Sequence, residues 1–582
     1  KPFSTQVALS RRAARCSQGA TRALIRPLTR MGQATSAKPS APARRCETTD
    51  KVVAVDRVAG RGSLPISCRY TSSRALGNDF SLEPKVVGSG MSGPVRLATG
   101  RGDGRKYAVK SFRKTGMSAR HREELKSEAE IYLSLDHPHV ARLEMVYETD
   151  EELHLVMEYM QGGELYDRLA ARKQYTEVDA AEATNQMLLA IAYLHAHQIA
   201  HRDLKLENFL YERKDTNHLK IIDFGFAKFT DQSTKMSQAC GSIHYVAPEV
   251  LAKSYTERAD MWSLGVIVFM LLTGSPPFFG SEDEVLRKIK KGNVHWSSRF
   301  GRLPELAKSF VKSLLVLEPS QRMSAQEALS HAWIRERHLA QSVILGPETM
   351  EGLRSFARAS RFRRNVLSMM AWSLSTEDRI ELRRQFLAID EDRGGTISMK
   401  EFKDVLENHF GVESSEAEAI FKSLDTDCND EIEYSEFLAA ALLGQLKVHE
   451  DVLRKTFKRF DADGDGKIDN QELRQVLGET FSDDEILEVL KQADTSGDGK
   501  LDYDEFLAYF HTPEPDACDR SKRRRHTEKL GMVVESIILE NDPEIVSKDK
   551  QRPTEKGPSV PLSGKHLPML LSNLRSGFRL KA

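Results

Sequence analysis

The sequence predicts an α+β domain of two lobes, then an all-α domain of four helix–loop–helix repeats, with a polar extension at each end. Three observations predict this. A glycine-rich turn between two strand-like segments opens residues 80–334, an ordered set of short polar motifs follows it, and acid-rich loops then recur every 33–36 residues. With 582 residues, the chain has room for three or four domains of about 150 residues each.

Composition and charge restrict the classes of function. Lys+Arg and Asp+Glu both number 85, so the net charge is zero and no nucleic-acid partner is expected. The longest apolar run, around residues 264–272, is about half of the ~18 residues that cross a bilayer. The six cysteines form no CxxC pair, which excludes a disulfide framework or a cysteine-rich zinc site. This cysteine usage indicates a reducing compartment, and we expect a cytoplasmic location.

The extension at 1–79 is basic and is predicted to be disordered. It has no acid before Glu47 and is rich in Ala, Ser, Thr and Pro, so it cannot bury a core. This composition also resembles a transit peptide. In an alternative interpretation, translation starts at Met31, and residues 31–36 fit the pattern M-G-x-x-x-[ST], which marks Gly32 for myristoylation. A following basic pair and Cys46 would supply the second signal that peripheral membrane attachment requires, unless Cys46 is an ordinary solvated thiol.

The tail at 513–582 is predicted to be disordered for a similar reason. It mixes Pro, Ser, Lys and Glu and has no sustained hydrophobic period. Its basic run at 522–525 is either a nuclear or acidic-lipid signal or, more often for such runs, simply part of a solvated tail.

A glycine-rich turn begins the α+β domain. Residues 86–95 read as two strands joined by a turn whose glycines let backbone N–H groups approach phosphate oxygens. Alone, this pattern also fits a plain hairpin or a dinucleotide-binding fold. A third strand, ending Ala108-Val109-Lys110, follows where a dinucleotide-binding unit would begin a helix. The pattern therefore favours a phosphate-binding lobe of another kind.

Three further motifs complete the pattern. Residues 201–208 read HRDLKLEN, residues 223–225 read DFG and residues 247–249 read APE. Together with the glycine-rich turn and Lys110, they have the order and spacing found in protein kinases, so residues 80–334 resemble a protein kinase domain. DLKLEN is the form typical of serine/threonine kinases. The resemblance implies the bilobal α+β kinase fold, ATP and Mg²⁺ as cofactors, and protein substrates.

The physics of phosphoryl transfer and this resemblance assign the main roles. The transition state spreads charge over the phosphoryl oxygens, so the protein mainly positions groups and neutralises charge. Asp203 is expected to accept the proton of the substrate hydroxyl, and Lys110 to hold the α- and β-phosphates with Glu128 as its partner. Asn208 and Asp223 supply oxygen ligands of the kind that Mg²⁺ prefers.

Further nucleotide contacts follow from the resemblance. Lys205 is expected to contact the γ-phosphate. Glu130 is the alternative partner of Lys110, although it lies on another face of the helix than Glu128. Residues 155–160 resemble the hinge that pairs with adenine, and Met157 would be the gatekeeper. The other expected contacts are Gly88, Ser89, Gly90, Met91, Gly93, Val95, Ala108, Glu158, Met160 and Glu164.

Two glutamates predict the substrate class. Glu164 and Glu207 match positions that hold arginines upstream of the phosphoacceptor in basophilic kinases, and a partly desolvated carboxylate binds a guanidinium well. We therefore expect a preference for Arg-x-x-Ser/Thr. In the alternative, Glu164 contacts only the ribose and Glu207 is solvated.

The activation loop departs from the common pattern. Arg202 can pair with a loop phosphate. Yet Gln238, two positions before Cys240, stands where many relatives carry a phosphothreonine. Thr234 and Ser237 are the alternative phosphorylation sites, and this departure suggests that activity has another control.

Four acid-rich loops follow the kinase-like region. They begin at Asp390, Asp425, Asp461 and Asp494, and each has an aliphatic residue at position 8 and Glu at position 12. Side-chain oxygens occupy positions 1, 3, 5 and 9, except that position 5 of the first loop is Gly394. This is the EF-hand pattern, in which six to eight oxygens surround Ca²⁺. We expect two pairs of EF-hands, at 376–445 and 446–512.

The expected ligands include the seventh positions of three loops, where a backbone carbonyl binds the ion. They are Asp390, Asp392, Ser398 and Glu401 in the first loop; Asp425, Asp427, Asn429, Glu431, Glu433 and Glu436 in the second; Asp461, Asp463, Asp465, Lys467, Asp469 and Glu472 in the third; and Asp494, Ser496, Asp498, Lys500, Asp502 and Glu505 in the fourth.

The loops differ in ways that predict affinity. The third has an acid at every side-chain ligand position, whereas the first lacks a side-chain oxygen at position 5 and is expected to bind most weakly or not at all. In the second, Asp430 replaces the turn glycine, which costs some stability because the position is left-handed.

A kinase domain and four EF-hands in one chain resemble the calcium-dependent protein kinases of plants and alveolate protists. The resemblance covers residues 80–511. It implies a calmodulin-like domain and an autoinhibitory junction at 335–375, where apolar residues recur at helical spacing among arginines. The EF-hand domain is expected to bind this helix. The sequence leaves open whether the junction blocks the substrate cleft, holds the kinase in an inactive shape, or is a permanent helix on the kinase.

We therefore expect a calcium-activated serine/threonine kinase in which Ca²⁺ binding relieves autoinhibition. A non-enzymatic calcium sensor built on a dead kinase would require loss of Lys110, Asp203 or Asp223, and all three are present. In a third interpretation, the EF-hands only stabilise the structure.

Overall fold

The structure, a computed structural model, describes residues 69–90, 93–230, 236, 238, 240–336, 345–442, 450–461, 463–477 and 481–511. The predictions that concern the tail and its basic run, Gly32, Cys46, Met91, Thr234 and Ser237 lie outside these residues. Within the described ranges, no helix combines the length and the apolar character needed to cross a membrane.

A sheet of six strands forms the first lobe of the described chain. The strands are β1 (Tyr70–Thr71), β2 (Phe80–Gly90), β3 (Gly93–Gly100), β4 (Lys106–Arg113), β5 (Leu143–Glu148) and β6 (Glu152–Glu158). Their order is β1-β5-β6-β4-β3-β2, and β1 pairs with β5 in parallel while the other pairs are antiparallel. The lobe also contains α1 (Leu76–Asp79) and α2 (Ala119–Ser134), and α2 is capped by the Ser118 hydroxyl.

The predicted disorder of 1–79 is wrong for its last part. Residues 69–79 form β1 and α1, and both Arg69 and Leu76 are buried. The reason is long-range pairing: β1 completes the edge of the sheet beside β5, a partner that local composition does not reveal.

The second lobe is mostly helical. Its helices are α3 (Leu165–Arg172), α4 (Glu177–Ala196), α5 (Pro248–Leu251), α6 (Arg258–Thr273), α7 (Glu282–Lys290), α8 (Ser298–Gly301), α9 (Glu305–Leu314), α10 (Ala325–Ser330) and α11 (Ala332–Arg335). Helix α6 is buried along almost its whole length, because it is apolar on every side. Four short strands lie beside the cleft between the lobes: β7 (Ile199–Ala200), β8 (Phe209–Tyr211), β9 (Leu219–Ile221) and β10 (Lys228–Phe229).

The rest of the described chain consists of helices joined by loops, and four of these loops contain a two-residue strand. Two joining helices come first, α12 (Pro347–Arg358) and α13 (Arg361–Ser373). The EF-hand helices are α14 (Thr376–Ile389), α15 (Met399–Phe410), α16 (Ser414–Leu424), α17 (Tyr434–Leu442), α18 (Glu450–Phe460), α19 (Asn470–Leu477), α20 (Asp483–Ala493) and α21 (Tyr503–His511). The strands are β11 (Ile397–Ser398), β12 (Glu431–Ile432), β13 (Lys467–Ile468) and β14 (Leu501–Asp502), and they pair the four loops as β11 with β12 and β13 with β14.

The joining helices lie in the hydrophobic core of the EF-hand domain, which is separate from the kinase core. Leu353 and Phe356 of α12 and Phe362 and Val366 of α13 are buried in this core, together with the apolar residues of both EF-hand pairs. Helical spacing on the two joining helices therefore brings their apolar faces against the EF-hands.

Candidate active site and calcium-binding loops

A buried aspartate fixes the loop that carries the HRD motif. The Asp260 carboxylate accepts backbone N–H bonds from His201 and Arg202, both at 2.9 Å, and contacts His195 Nε2 at 3.0 Å. Burial opposes its ionisation, but the His195 contact and the backbone donors outweigh burial and lower the pKa of Asp260. The sequence analysis missed this residue; its one signal is an acid at the start of an apolar helix.

Asp203, the expected acceptor of the substrate proton, is held on several sides. Its Oδ2 accepts from Lys205 Nζ at 2.5 Å, and its Oδ1 accepts from the Ser242 hydroxyl at 3.1 Å. The Asn208 amide donates to the Asp203 backbone carbonyl at 2.8 Å, so the amide oxygen is the atom left to face a cation. Asp203, Lys205 and Asn208 thus lie together, as their expected shared role requires.

Lys110 lies between two carboxylates. Its Nζ is 2.6 Å from Glu128 Oε1 and 3.1 Å from Asp223 Oδ1. Burial disfavours the charged amine, but the two carboxylates outweigh burial and raise the pKa of Lys110. Burial likewise opposes ionisation of Asp223, yet Lys110 lowers the pKa of that carboxyl. The alternative partner, Glu130, lies 4.0 Å from Lys126 instead.

Aromatic contacts connect helix α2 with the DFG motif. The Phe224 ring lies 5.0 Å from the Tyr132 ring and 5.4 Å from the His201 ring, measured between centroids. Asp223 has a positive φ of 64°, which is strained for a residue with a side chain and is typical of functional sites. The fold thus turns the Asp223 carboxylate toward Lys110, and the oxygens of Asp223 and Asn208 are of the type that Mg²⁺ requires.

The glycine-rich hairpin and the hinge line the expected nucleotide site. Gly88 pairs with Val95, Ser89 with Pro94 and Gly90 with Gly93. Lys110 on β4 pairs with Leu155 on β6. Ala108 pairs with Met157 in the same ladder, and Met160 is buried.

The Glu158 side chain does not face a nucleotide. Its carboxylate lies 2.6 Å from Lys220 Nζ and 3.4 Å from Arg379 Nη2, and it accepts from the backbone N–H of Arg142 at 2.7 Å. Burial opposes its ionisation, but Lys220 and Arg379 outweigh burial and lower the pKa of Glu158 to about 2. Only the backbone of Glu158 remains for adenine, and its N–H already donates to the Arg142 carbonyl at 3.0 Å.

The two glutamates expected to bind substrate arginines lie near the catalytic loop. Glu164 precedes helix α3, which contacts the turn at Leu206–Asn208 that contains Glu207. Both glutamates are half-buried. Within Glu207, however, the Oε2 atom is buried, so a peptide arginine would have to reach the other carboxylate oxygen.

The activation loop is connected to the HRD motif through a tyrosine. The Tyr255 hydroxyl donates to the Gln238 carbonyl at 2.7 Å and accepts from Arg202 Nη1 at 3.3 Å. Arg202 also donates to the Phe226 carbonyl at 2.5 Å. The described contacts of the Arg202 guanidinium are thus with neutral oxygens.

Each acid-rich loop folds around its first and last carboxylates. The position 1 aspartates accept the N–H of position 6, at 3.0 Å for Gly395, 3.1 Å for Asp430, 3.2 Å for Gly466 and 2.8 Å for Gly499. Asp430 adopts the left-handed φ of 64° that its place in the second loop requires.

Carboxylates converge in three of the loops, as a divalent cation requires. The ligand atoms within each group lie within 4.8 Å of one another, and the groups are Asp390, Asp392 and Glu401; Asp425, Asp427 and Glu436; and Asp461, Asp463 and Glu472. Burial, with its acidic neighbours as a smaller cause, raises the pKa of Asp390 to about 8. Such crowded carboxylates and the oxygen-only donor set fit Ca²⁺.

Lysines connect the third and fourth loops. The Lys500 amine lies 2.7 Å from Asp465, and the Lys467 amine pairs with Asp498. Only the backbone carbonyls of these two lysines are therefore expected to serve a metal ion. In the fourth loop, Ser496 takes the place of a carboxylate at position 3.

Arginines of the joining helices pair with both EF-hand pairs. Arg354 lies 2.8 Å from Glu416, Arg361 lies 3.2 Å from Glu485, and Arg364 donates to the Ser423 carbonyl at 3.1 Å. The basic side of the junction therefore contacts the EF-hand domain in this structure, which is the partner that its sequence predicted.

Comparison with known proteins gives matches along most of the chain. A family model described as protein kinase domain matches residues 82–334, and one described as EF-hand domain pair matches residues 379–442 and 450–511. Calcium-dependent protein kinase 3 of Oryza sativa subsp. japonica is 36% identical over 482 residues, which cover 80% of this chain and 86% of the relative.

Two other relatives give similar values. Calcium-dependent protein kinase 13 of Arabidopsis thaliana is 35% identical over 497 residues, covering 84% of this chain and 93% of the relative. Calcium-dependent protein kinase 4 of Plasmodium falciparum (isolate 3D7) is 34% identical over 416 residues, covering 68% of this chain and 79% of the relative.

Replacing Glu128 by Gln should lower kcat roughly a hundredfold, because the buried Lys110 amine loses the nearer of its two carboxylate partners and with it the contact that orients it. Glu130→Gln on the same helix is the matched control and should stay near the wild-type rate. Steady-state kinetics with ATP and a peptide substrate measure both. Equal losses in the two variants would contradict the assignment of Glu128.

Proposed function

The chain belongs to the calcium-dependent protein kinase family, and we propose that calcium controls its activity through the joining helices α12 and α13. It is a serine/threonine protein kinase that uses ATP and Mg²⁺, and its EF-hands are sites for Ca²⁺. The observation that carries the proposal is the burial of the joining helices in the EF-hand core, in the same structure in which the Lys110–Glu128 pair is formed.

The regulatory part of the proposal rests on competition for the joining helices. Their apolar residues are buried against the EF-hands, and their arginines pair with EF-hand acids. Loading of EF-hand pairs with Ca²⁺ generally opens them and exposes an apolar groove. We propose that without calcium the joining helices leave this groove and restrain the kinase, so that calcium relieves autoinhibition. A near-complete switch requires about 5.5 kcal/mol of differential binding, and several cooperating loops can supply it.

We further propose that the kinase prefers serines and threonines in basic contexts, Arg-x-x-Ser/Thr. Glu164 and Glu207 are half-buried carboxylates beside the catalytic loop. A guanidinium that reaches them would form charge-assisted hydrogen bonds in a partly desolvated place.

We also propose a cytoplasmic location for the protein, with peripheral membrane attachment if Gly32 is myristoylated.

Replacing Glu164 by Gln should raise KM roughly tenfold for a peptide with arginine three residues before the phosphoacceptor, since a hydrogen bond to a charged group contributes about 1.5–3 kcal/mol. KM for the same peptide with alanine at that position should not change. Glu305→Gln, at a side chain that is 88% exposed on α9, is the control. An equal rise in KM for both peptides would contradict arginine recognition by Glu164.

Replacing Glu472 by Gln should raise the free calcium needed for half-maximal activity by about tenfold, within the sensor range of about 10⁻⁷–10⁻⁵ M. Glu401→Gln should raise it less, because the first loop has Gly394 at a ligand position. Calcium titrations of peptide phosphorylation give the half-maximal free calcium for each variant, and calorimetry gives the calcium affinity of each variant. A larger effect at Glu401 would refute the ranking of the loops.

A further inference from the structure

A tryptophan of the joining segment lies between two arginines of the kinase lobe. Trp372, in the last turn of α13, is 2% exposed. The Arg69 guanidinium carbon lies 3.8 Å from the centroid of its ring, and that of Arg142 lies 4.3 Å away. Each distance is within the range of a cation–π contact. One aromatic side chain of the regulatory region thus contacts two cations of the kinase.

The two arginines connect this indole to the parts of the lobe that shape the active site. Arg69 donates to the Leu133 carbonyl at 2.5 Å, in the last turn of helix α2. Helix α2 also carries Glu128, the partner of Lys110. The backbone of Arg142 exchanges hydrogen bonds with Glu158 at the end of β6, at 2.7 and 3.0 Å.

The arginines are costly to bury without the indole. Arg69 and Arg142 are 2% and 6% exposed, and they carry like charges on either side of one ring. Burial lowers the pKa of Arg69 to about 10, although Asp136 opposes it, and burial together with the Arg379 charge lowers the pKa of Arg142. Two N–H groups of Arg142, at Nε and Nη1, have no hydrogen-bond partner among the described residues. Its Nη2 donates to the Ala371 carbonyl at 3.3 Å, and the ring of Trp372 gives this cation a second contact with the joining helix.

We propose that Trp372 is a positioning residue for phosphoryl transfer. Its insertion between Arg69 and Arg142 ties the joining helix to the C-terminal end of helix α2 and thereby keeps Glu128 within reach of Lys110. This inference rests on the proposed function, because it assumes that the joining helix changes its place with calcium. It adds a named contact through which docking of that helix reaches the catalytic residues.

The full-length kinase carrying Trp372→Ala tests this. At saturating calcium, its kcat should fall about tenfold, because both cation–π contacts are lost. Trp372→Phe keeps an aromatic face and should recover part of the loss. Trp296→Ala removes an indole that is 43% exposed on the kinase lobe, and it should leave kcat unchanged. Calorimetry should show that all four proteins still become saturated with calcium, so that kcat is compared between loaded enzymes.

A double-mutant cycle provides a readout that a general loss of stability would not give. If the indole acts through Arg142, then Arg142→Gln should lower kcat less in the Trp372→Ala background than in the wild type. Additive losses, or a Trp372→Ala enzyme as active as Trp296→Ala, would overturn the inference. So would a Trp372→Phe enzyme with no recovery. A wild-type enzyme that ignores calcium would instead refute the proposed function, so the two failures are distinguishable.

Discussion

The buried ion pair between Lys110 and Glu128 is the interaction on which the catalytic arrangement depends. The two side chains are 6% and 5% exposed, so separating them would leave charges buried without compensation, at a cost of about 3–5 kcal/mol. The pair also fixes helix α2 against the sheet, and Lys110 extends the contact to Asp223. Any element that moves α2 therefore changes the charge arrangement around the expected phosphate position.

A cluster of buried charges joins the EF-hand domain to the kinase next to Glu158, at the end of β6. Arg379 and Arg383 of α14 meet Glu158 and Glu212, which share Lys220 between them. The kinase thus supplies two buried carboxylates and one amine, and the regulatory helix supplies two guanidiniums. Buried charges of this kind give an interface its geometry more than its strength, because desolvation offsets much of their attraction. Docking of the EF-hand domain is therefore specific in position.

The sequence predicted those parts of the site whose chemistry is local. The glycine-rich turn, the HRD and DFG motifs and the acidic loops each lie within about a dozen residues, where spacing alone determines which side chains converge. The Asp260 anchor and the Trp372 contact could not be predicted in this way. The hydrogen bonds of Asp260 join residues that lie 58–65 positions apart in the chain. Arg142 meets the segment of Trp372 over an even longer separation, as its hydrogen bond to the neighbouring Ala371 carbonyl spans 229 positions. Neither contact follows from a local period. The ion pair of the Glu158 side chain with Arg379 was likewise not predictable, since the two residues lie 221 positions apart.

We propose that occupancy of the EF-hand loops by Ca²⁺ determines whether the catalytic lobe is active. The most direct measurement is the initial rate at which the purified full-length protein phosphorylates a peptide, first in a calcium chelator and then in micromolar free calcium, with Mg²⁺ and ATP held constant. The account predicts a low rate in the chelator and a steep rise with calcium. Equal rates in the two conditions would contradict it.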